Sequence, residues 1–367
     1  MTSIVDNLMN YLSFLNIDTS LLLVLVILIP GLGIFLVMTV NAMVAVYMER
    51  KISAFMQDRL GPMEVGLFGF KGGKKFWGGI GQTIADAIKL LAKEDIVPND
   101  ADKKLMLLAP FVIFIGAFLT WIAIPLSQDL VVSDFNIGIF YIIAMSSVGV
   151  IGIILAGWSS NNKWSLYGAM RAAAQIISYE IPIALSLLLV VIVTGSLNLG
   201  DIVQWQSDHR WFIIHSPFTF LAFFLYFIST VAETNRTPFD IPEAESELVA
   251  GWMTEYSGFK WAIFFLSEYA NMLIVSIVAS VVFLGGWLSP LALLNIGIPD
   301  KWMFLDGPIL GFFWIMIKAI FLIFVMMWFR WTFPRLRVDQ LMYLCWKVFI
   351  PFALGNLFFV SIWELIF

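Results

Sequence analysis

The sequence has very few of the residues that build metal centres and disulfides. Among its 367 residues it has one cysteine, Cys345, and two histidines, His209 and His215. A single cysteine excludes a disulfide within the chain and a cysteine cluster. Both histidines fall away from the charged motifs of the sequence. We therefore expect this chain to bind no metal ion or iron–sulfur cluster.

Charge is also scarce, and this fixes the class of the protein. Asp, Glu, Lys and Arg make up 13% of the residues, whereas 60% are hydrophobic and the mean hydropathy is +0.91. A water-soluble domain with this composition could not cover its surface with polar groups. Runs of about 20 apolar residues, enough to cross a hydrocarbon core of roughly 30 Å, recur along the chain. The short alternating segments of a transmembrane barrel are missing from the sequence. The composition predicts an all-α, polytopic membrane helix bundle.

We predict about eight transmembrane helices within a single integral membrane domain, residues 1–367. The apolar segments place them at about 21–48, 105–127, 137–158, 176–199, 211–232, 261–287, 308–329 and 348–366.

Basic residues orient these spans. With both termini outside, eighteen Lys and Arg residues fall in one set of loops, and only Arg210 and Lys301 fall in the other. Cytoplasmic loops carry the excess of basic residues. We therefore expect a multi-pass protein of the cell inner membrane with both termini on the periplasmic side. The first apolar segment has no cleavage pattern and should be retained. The cytoplasmic loops would be about 49–104, 159–175, 233–260 and 330–347.

Residues 80–95 have the periodicity of an amphipathic helix. Apolar residues recur at helical spacing on one face, with Asp86 and two lysines on the others. Such a helix is predicted to lie along the membrane interface.

The most unusual stretch is residues 233–259, ETNRTPFDIPEAESELVAGWMTEYSGF, which has six acids and one arginine between two apolar segments. Pro238 and Pro242 each disfavour helix at the preceding residue, so RTPFDIPE is predicted to be extended. From Glu243 we predict a helix that places Glu243, Glu247 and Glu255 near one face.

Carboxylates so spaced repel one another. At least one should have a raised pKa unless Arg236 or a partner compensates. The stretch therefore either docks onto a basic partner or handles ions or protons through its carboxylates.

Charged residues within predicted spans are costly and indicate function. Glu180 lies about one turn inside its span, Glu268 lies within the sixth span, and Lys318 lies near the middle of the seventh. Each glutamate could instead form a structural hydrogen bond or pair with Lys318. At the end of the first span, Glu49, Arg50 and Lys51 are followed by Arg59. Basic residues here could be membrane anchors, but the acid beside them is more typical of a polar cavity.

Five blocks together resemble one family, the H subunit of the bacterial proton-pumping NADH–quinone oxidoreductase, respiratory complex I. The blocks are ERKISAFMQDRLGP (49–62), GQTIADAIKLLAKED (81–95), SSNNKWSLYGAMRAAAQIISYEIP (159–182), AETNRTPFDIPEAESELVAGWMTEYSGFKWAIFFLSEY (232–269) and RWTFPRLRVDQLM (330–342).

The resemblance implies a membrane subunit beneath the peripheral arm, with no redox centre of its own. Quinone would be a substrate at a shared site, and the flavin and iron–sulfur clusters would belong to neighbouring subunits. The expected partners are the quinone-site subunits of the peripheral arm, the adjacent membrane-arm subunits, and lipids, without nucleic acid.

The resemblance also assigns residues. It implies that the quinone tunnel is lined by Glu49, Arg50, Arg59, Asp86, Arg236, Asp240, Glu243 and Glu245. It implies an acidic path into the membrane arm through Glu180, Glu233, Glu247, Glu255 and Glu268, and we expect Lys318 further along it. Whether such a path conducts protons or relays charge is open at this point, and so is the choice between ubiquinone and menaquinone.

Two alternatives remain. A standalone cation–proton antiporter would suit the charges within the spans, but it does not explain the long charged loops, and the sequence has no evident internal repeat. The homologous membrane subunit of an energy-converting hydrogenase or of a related dehydrogenase shares part of this architecture. The complete ERK and PFDIPEAESE blocks favour the quinone-reducing complex.

Overall fold

A computed structural model describes residues 4–5, 8–9, 19–66, 78–242, 245–290 and 307–366. Among the described residues of its first half, the chain has five α-helices with defined bounds, of which the second is short and amphipathic. They are α1 (Thr19–Met56), α2 (Gly81–Ala92), α3 (Lys103–Thr120), α4 (Gly138–Ser159) and α5 (Lys163–Thr194).

The second half alternates short helices with long ones. The helices are α6 (Leu199–Asp208), α7 (Phe212–His215), α8 (Pro217–Glu233), α9 (Glu245–Leu248), α10 (Gly258–Phe283) and α11 (Pro308–Thr332). The last span, Val338–Ile366, consists of α12 (Val338–Tyr343), one π-helical segment (Leu344–Phe349) and α13 (Ile350–Ile366).

The membrane helix bundle predicted from composition is confirmed. Within the described ranges, seven helical segments are long and apolar enough to cross a membrane. The remaining predicted span, at about 211–232, corresponds to α8, whose 17 residues extend over roughly 26 Å.

Several helices are longer than their apolar cores. Helix α5 begins at Lys163, where the Asn162 side chain accepts a hydrogen bond from the Trp164 amide. Much of the predicted polar segment 159–175 is therefore helical. Its alanine-rich stretch has high helix propensity, so the helix extends beyond the apolar run.

Helix α10 occupies the middle of the bundle. Of its most apolar 18-residue stretch, 67% is buried within the protein, against 22% in the first span. It packs against α1, α3 and α11, while α5 packs against α4 and α8. Residues on α10 are therefore surrounded by other helices of this chain, whereas α1 leaves most of its surface to the surroundings.

The predicted amphipathic helix is α2, and it keeps an apolar face outward. Ile88 and Leu91 are 60% and 63% exposed, as suits a helix at a membrane interface. Just after α2, Asp95 pairs with Lys260 at 2.8 Å and the Ile96 amide donates to Ser257 Oγ at 3.0 Å. These contacts fix the end of α2 to the start of α10.

The prediction of one helix from Glu243 to Glu255 is wrong. Helix α9 ends at Leu248, and the chain turns at Val249, where φ is +67°. A 3₁₀ turn at Gly251–Met253 follows. The turn packs directly against α5, since Ser165 Oγ donates to the Trp252 carbonyl at 3.1 Å. The helix therefore ends at Leu248 because the residues that follow it pack against α5 as a turn.

This packing requires a glycine at position 168. A Cβ atom at Gly168 would lie 2.7 Å from the Gly251 Cα and 2.9 Å from the Trp252 amide nitrogen. We predict that Gly168→Ala displaces the turn and destabilises the protein by about 1–3 kcal/mol, the usual cost of overpacking. The temperature at which the purified assembly loses activity measures this loss of stability. The matched control is Gly33→Ala, because nothing lies within 4 Å of a Cβ there. Equal stability of the two variants would contradict the prediction.

Candidate functional site: a buried charge cluster

Arg236 is the centre of a buried charge cluster. The residue is 4% exposed. Its Nη1 atom lies 3.2 Å from Glu49 Oε2, and its Nη2 atom lies 2.9 Å from Glu268 Oε1. The guanidinium also stacks over the Tyr269 ring at 4.6 Å. Burial by itself would lower the pKa of Arg236, but the Glu268 and Glu49 carboxylates together raise it well above its ordinary value. Arg236 is therefore a fixed cation shared by two acids.

Glu49 links two further side chains, those of Arg330 and Tyr269, to Arg236. Its carboxylate accepts a hydrogen bond from Arg330 of α11 and another, at 2.5 Å, from the Tyr269 hydroxyl. The Asn41 amide of α1 donates to the Tyr269 carbonyl at 3.1 Å. We call Glu49, Arg236, Glu268, Tyr269 and Arg330 the Arg236 cluster. It joins α1, α10, α11 and the segment after α8, and its two acids balance its two arginines.

The segment that carries Arg236 is non-helical, as the prolines predict, but it folds into turns instead of an extended strand. Asn235 has a φ of +51°, and the Phe239 amide donates to the Arg236 carbonyl at 2.8 Å. Gln175 of α5 supports these turns, because its amide donates to the carbonyls of Ala232 and Phe239, each at 2.8 Å. Backbone groups buried between helices need such partners, and an extended segment would have left them unpaired.

Asp240 lies at the edge of the cluster and pairs with Arg335 at 2.9 Å. Burial raises its pKa, and the charges of Arg335, Arg330 and Arg236 offset this only in part, so the net shift is upward. Its Oδ1 atom is buried and has no hydrogen-bond partner within the described ranges. This carboxyl group therefore binds a proton more readily than an ordinary aspartate.

A second ion pair fixes the amphipathic helix to the end of α1. Arg50 Nη1 lies 2.6 Å from Asp86 Oδ2, and Asp86 also accepts a hydrogen bond from Gln82 at 3.1 Å. Burial alone would raise the pKa of Asp86, but the hydrogen bond and charge of Arg50, together with Gln82 and Lys89, lower it below its ordinary value. Asp86 is thus held as an anion.

Two other basic residues near the end of α1 differ from each other. Arg59 is exposed and hydrogen-bonds to Gln57, away from the Arg236 cluster. Lys51, one of the basic residues that could be membrane anchors, is 3% exposed. Its Nζ atom donates to the Leu60 carbonyl at 3.2 Å and approaches Met63 Sδ at 3.3 Å. Lys51 therefore holds the loop that follows α1.

The acids of the predicted path have separate partners. The Glu180 carboxylate accepts a hydrogen bond from Ser147 of α4. Glu233 is the last residue of α8, and its side chain is partly buried. Outside the spans, the contacts are Glu247 with Arg171 at 2.6 Å and Glu255 with the Asn162 amide at 2.5 Å. Glu243 and the side chain of Glu245 lie outside the described residues.

Lys318 of α11 reaches the C-terminal end of α10, whereas Glu268 lies nearer the middle of α10. Its ammonium group donates to the carbonyls of Leu284, Gly286 and Leu288 at 2.7–2.8 Å. It also lies 4.2 Å from the Trp211 ring centroid. The three carbonyls match the three N–H donors of an ammonium group, and a cation also suits the C-terminal end of a helix.

The structure thus brings together Glu49, Arg236 and Glu268, places Arg50 with Asp86 on the adjoining helix, and leaves Arg59 and Lys318 apart from them. Sequence reasoning missed Tyr269, Asn41 and Arg330 as members of the site. The available signal was position alone, because Tyr269 follows Glu268 directly and Arg330 ends a span. Among the described residues, no group of three or more His, Cys, Asp or Glu could hold a metal ion.

The fold and the cluster define a polytopic membrane protein with a charged site enclosed at one end of its helix bundle. Residues 29–361 match the family model described as NADH dehydrogenase. The chain is 53% identical to the H subunit of NADH-quinone oxidoreductase from Chlorobaculum tepidum over 322 residues, which cover 87% of this chain and 86% of that protein.

Other relatives carry the same name. The corresponding H subunits of a Geobacillus species and of Bacteroides thetaiotaomicron are 48% and 46% identical, and each match covers 90% of this chain. The matches cover 92% and 88% of those two proteins. The chain belongs to the family formed by the H subunits of NADH-quinone oxidoreductases.

The cluster geometry predicts a measurable role for Tyr269. Replacing it with Phe removes the hydroxyl that donates to Glu49 but keeps the ring beneath Arg236. A hydrogen bond to a charged group contributes about 1.5–3 kcal/mol, so Tyr269→Phe should lower thermal stability by that order. Tyr343→Phe is the matched control, because Tyr343 is exposed. If both variants inactivate at the same temperature, the Tyr269 bond does not stabilise the cluster.

Proposed function

We propose that the chain is the membrane subunit of a proton-translocating NADH–quinone oxidoreductase in which it lines the quinone tunnel and couples quinone reduction to proton translocation. Membership of the H-subunit family supports this role, as does the membrane bundle. It also favours the quinone-reducing complex over the antiporter. The partners would be the subunits of the peripheral arm and the neighbouring membrane-arm subunits. The loops rich in basic residues would face the cytoplasm, and both termini the periplasm.

The proposed tunnel wall consists of Glu49, Arg50, Arg59, Asp86, Arg236, Asp240, Glu243 and Glu245. Reduction of a quinone takes two electrons and two protons, and it creates charge where water is scarce. A wall of paired acids and arginines can accommodate that charge by small changes in pairing or protonation. The raised pKa of Asp240 suits it to take up a proton when the charge nearby changes.

The observation that carries the proposal is that one arginine is shared between two carboxylates. Arg236 binds Glu49 on one side and Glu268 on the other. In our proposal Glu49 belongs to the tunnel wall and Glu268 to the path. A change of charge at the quinone that draws Arg236 toward one carboxylate weakens its hold on the other, because attraction between buried charges is strong. Glu268 would then bind or release a proton in response.

From Glu268 the proposed path includes Glu180, Glu233, Glu247 and Glu255. Glu180, Glu247 and Glu255 each have a polar or charged neighbour, and their contacts lie on α4, α5 and the turn after α9. We assign Lys318 a different role within the same proposal. Because all three of its N–H groups are bound to carbonyls, it is a fixed positive charge instead of a group that passes protons.

The first test concerns the quinone side. Arg50→Ala removes the partner that holds Asp86 and thus the amphipathic helix. A charged hydrogen bond contributes about 1.5–3 kcal/mol, so quinone reduction should fall roughly tenfold or more. Electron transfer from NADH to a hydrophilic artificial acceptor should continue, since the electron carriers would lie in other subunits. The control is Arg210→Ala, at an exposed position outside the site. Equal loss of both activities in an assembled Arg50→Ala complex would refute this role.

The second test concerns coupling. Gln keeps the size and hydrogen bonding of Glu but cannot ionise. Glu180→Gln and Glu268→Gln should each lower quinone reduction and proton pumping strongly, by about tenfold, in a complex that stays intact on native gels. If these glutamates only form structural hydrogen bonds, both effects should be mild. Glu364→Gln is the control, because Glu364 lies at the end of the last span and pairs with His215. Wild-type pumping in both test variants would exclude the two residues from the path.

A further inference from the structure

Helix α5 contains Pro182, two residues after Glu180. Proline has no backbone N–H, so the carbonyl four residues earlier, that of Ser178, loses its helical hydrogen bond. An unpaired carbonyl inside a membrane protein is costly, and membrane helices that contain proline rely on neighbouring groups to replace the missing donor. The identity of that replacement decides how the helix is held beside Glu180.

The replacement is the thiol of Cys345. Its Sγ atom donates to the Ser178 carbonyl at 3.0 Å, and the residue is 0% exposed. This explains the only cysteine of the sequence as a small buried donor in an apolar span. Serine would supply the same bond with a hydroxyl group, whereas alanine or valine would leave the carbonyl unpaired.

The backbone of the last span is adapted to this contact. Cys345 lies in the π-helical segment Leu344–Phe349, a local widening of a helix that is rare and often found at functional sites. Its neighbour Trp346 also reaches Ser178, with Nε1 donating to the Ser178 hydroxyl at 3.3 Å. Tyr179 donates to the Leu341 carbonyl at 3.0 Å. The last span is therefore hydrogen-bonded to two consecutive residues of α5, Ser178 and Tyr179.

Glu180 is held from the other side. Residues 178 and 180 are about 200° apart around a helix, and the Glu180 carboxylate bonds to Ser147 of α4 instead of the last span. Tyr179 lies between them and packs against Phe239, with ring centroids 5.6 Å apart. Phe239 belongs to the turns that follow Arg236. The proline site is thus bonded to the last span, to α4 and to the segment of the Arg236 cluster.

We propose that Cys345 is a positioning residue for Glu180. By binding the carbonyl that Pro182 leaves free, Cys345 fixes the local geometry of α5 so that the Glu180 carboxylate faces Ser147. The inference rests on the proposed function of Glu180 as part of the coupling path. It assigns no proton transfer and no redox chemistry to the thiol itself.

The test compares Cys345→Ala with Cys345→Ser in the assembled complex. Alanine removes the donor, and we expect quinone reduction coupled to pumping to fall about fivefold, as loss of one buried hydrogen bond implies. Serine retains a donor and should restore most of the rate. Val360→Ala is the control for cavity formation, since Val360 is buried in the same span away from the site and should have a nearly normal rate.

A spectroscopic measurement separates positioning from general weakening. The carboxyl band of Glu180 in redox-induced infrared difference spectra is identified by its loss in Glu180→Gln. It should shift in Cys345→Ala and keep its wild-type frequency in Cys345→Ser and Val360→Ala. An unshifted band in Cys345→Ala, or equal defects in the alanine and serine variants, would overturn the proposal. If the Glu180→Gln complex pumps protons normally, the proposed coupling role of Glu180 is wrong, whatever the Cys345 variants show. The Cys345 variants therefore test the positioning role separately.

Discussion

The architecture of the charged end of this protein depends on the pairing of Arg236 with two carboxylates. A guanidinium buried to this degree is stable only if its charge is matched by nearby carboxylates. Glu49 of α1 and Glu268 of α10 supply the match, and Arg330 of α11 supplies the second positive charge. Three helices are thereby fixed relative to one short segment. Removal of either acid would leave an uncompensated buried charge.

The same requirement governs the groups that belong to no charge cluster. Backbone carbonyls freed by a proline or by the end of a helix have no water to bind within a membrane. Cys345 supplies the donor for Ser178, and Lys318 supplies three donors at the end of α10. Gln175 supplies donors to the carbonyls of Ala232 and Phe239, which lie in the turns before and after Arg236. These three polar residues thus have identifiable backbone partners.

A consequence for function is that the proposed quinone side and the proposed path share a component. If each had its own counter-ions, charge in the tunnel would affect the path only weakly and at long range. Because Arg236 pairs with both Glu49 and Glu268, a shift of this one side chain changes the electrostatic environment of Glu268 directly. In the function that we propose, the family relation indicates the reaction, and this geometry offers a physical means of linking it to the membrane helices.

Much of the fold was predictable because apolar length and charge position are properties of the sequence. The eight segments follow from the length of the apolar runs, and the amphipathic helix follows from periodicity. The resemblance, which rests on motifs, pointed to Glu49, Arg236 and Glu268 as site residues. The predicted helix from Glu243 to Glu255 failed because packing of Gly168 against Gly251 overrides local propensity. The prediction that RTPFDIPE is extended was wrong, because hydrogen bonds from Gln175 to the backbone hold this segment in turns.

The sequence by itself determined the class of the protein, the number of its membrane segments and the set of charged residues from which a site could be made. Composition and spacing suffice for these, since the bilayer imposes a fixed thickness and penalises unpaired charge. Only the tertiary structure decided which charges meet. It paired Arg236 with both Glu49 and Glu268, brought in Tyr269 and Arg330, and placed Lys318 on backbone carbonyls. These contacts join residues up to 281 positions apart, and no local pattern encodes which of several acids a buried arginine will reach.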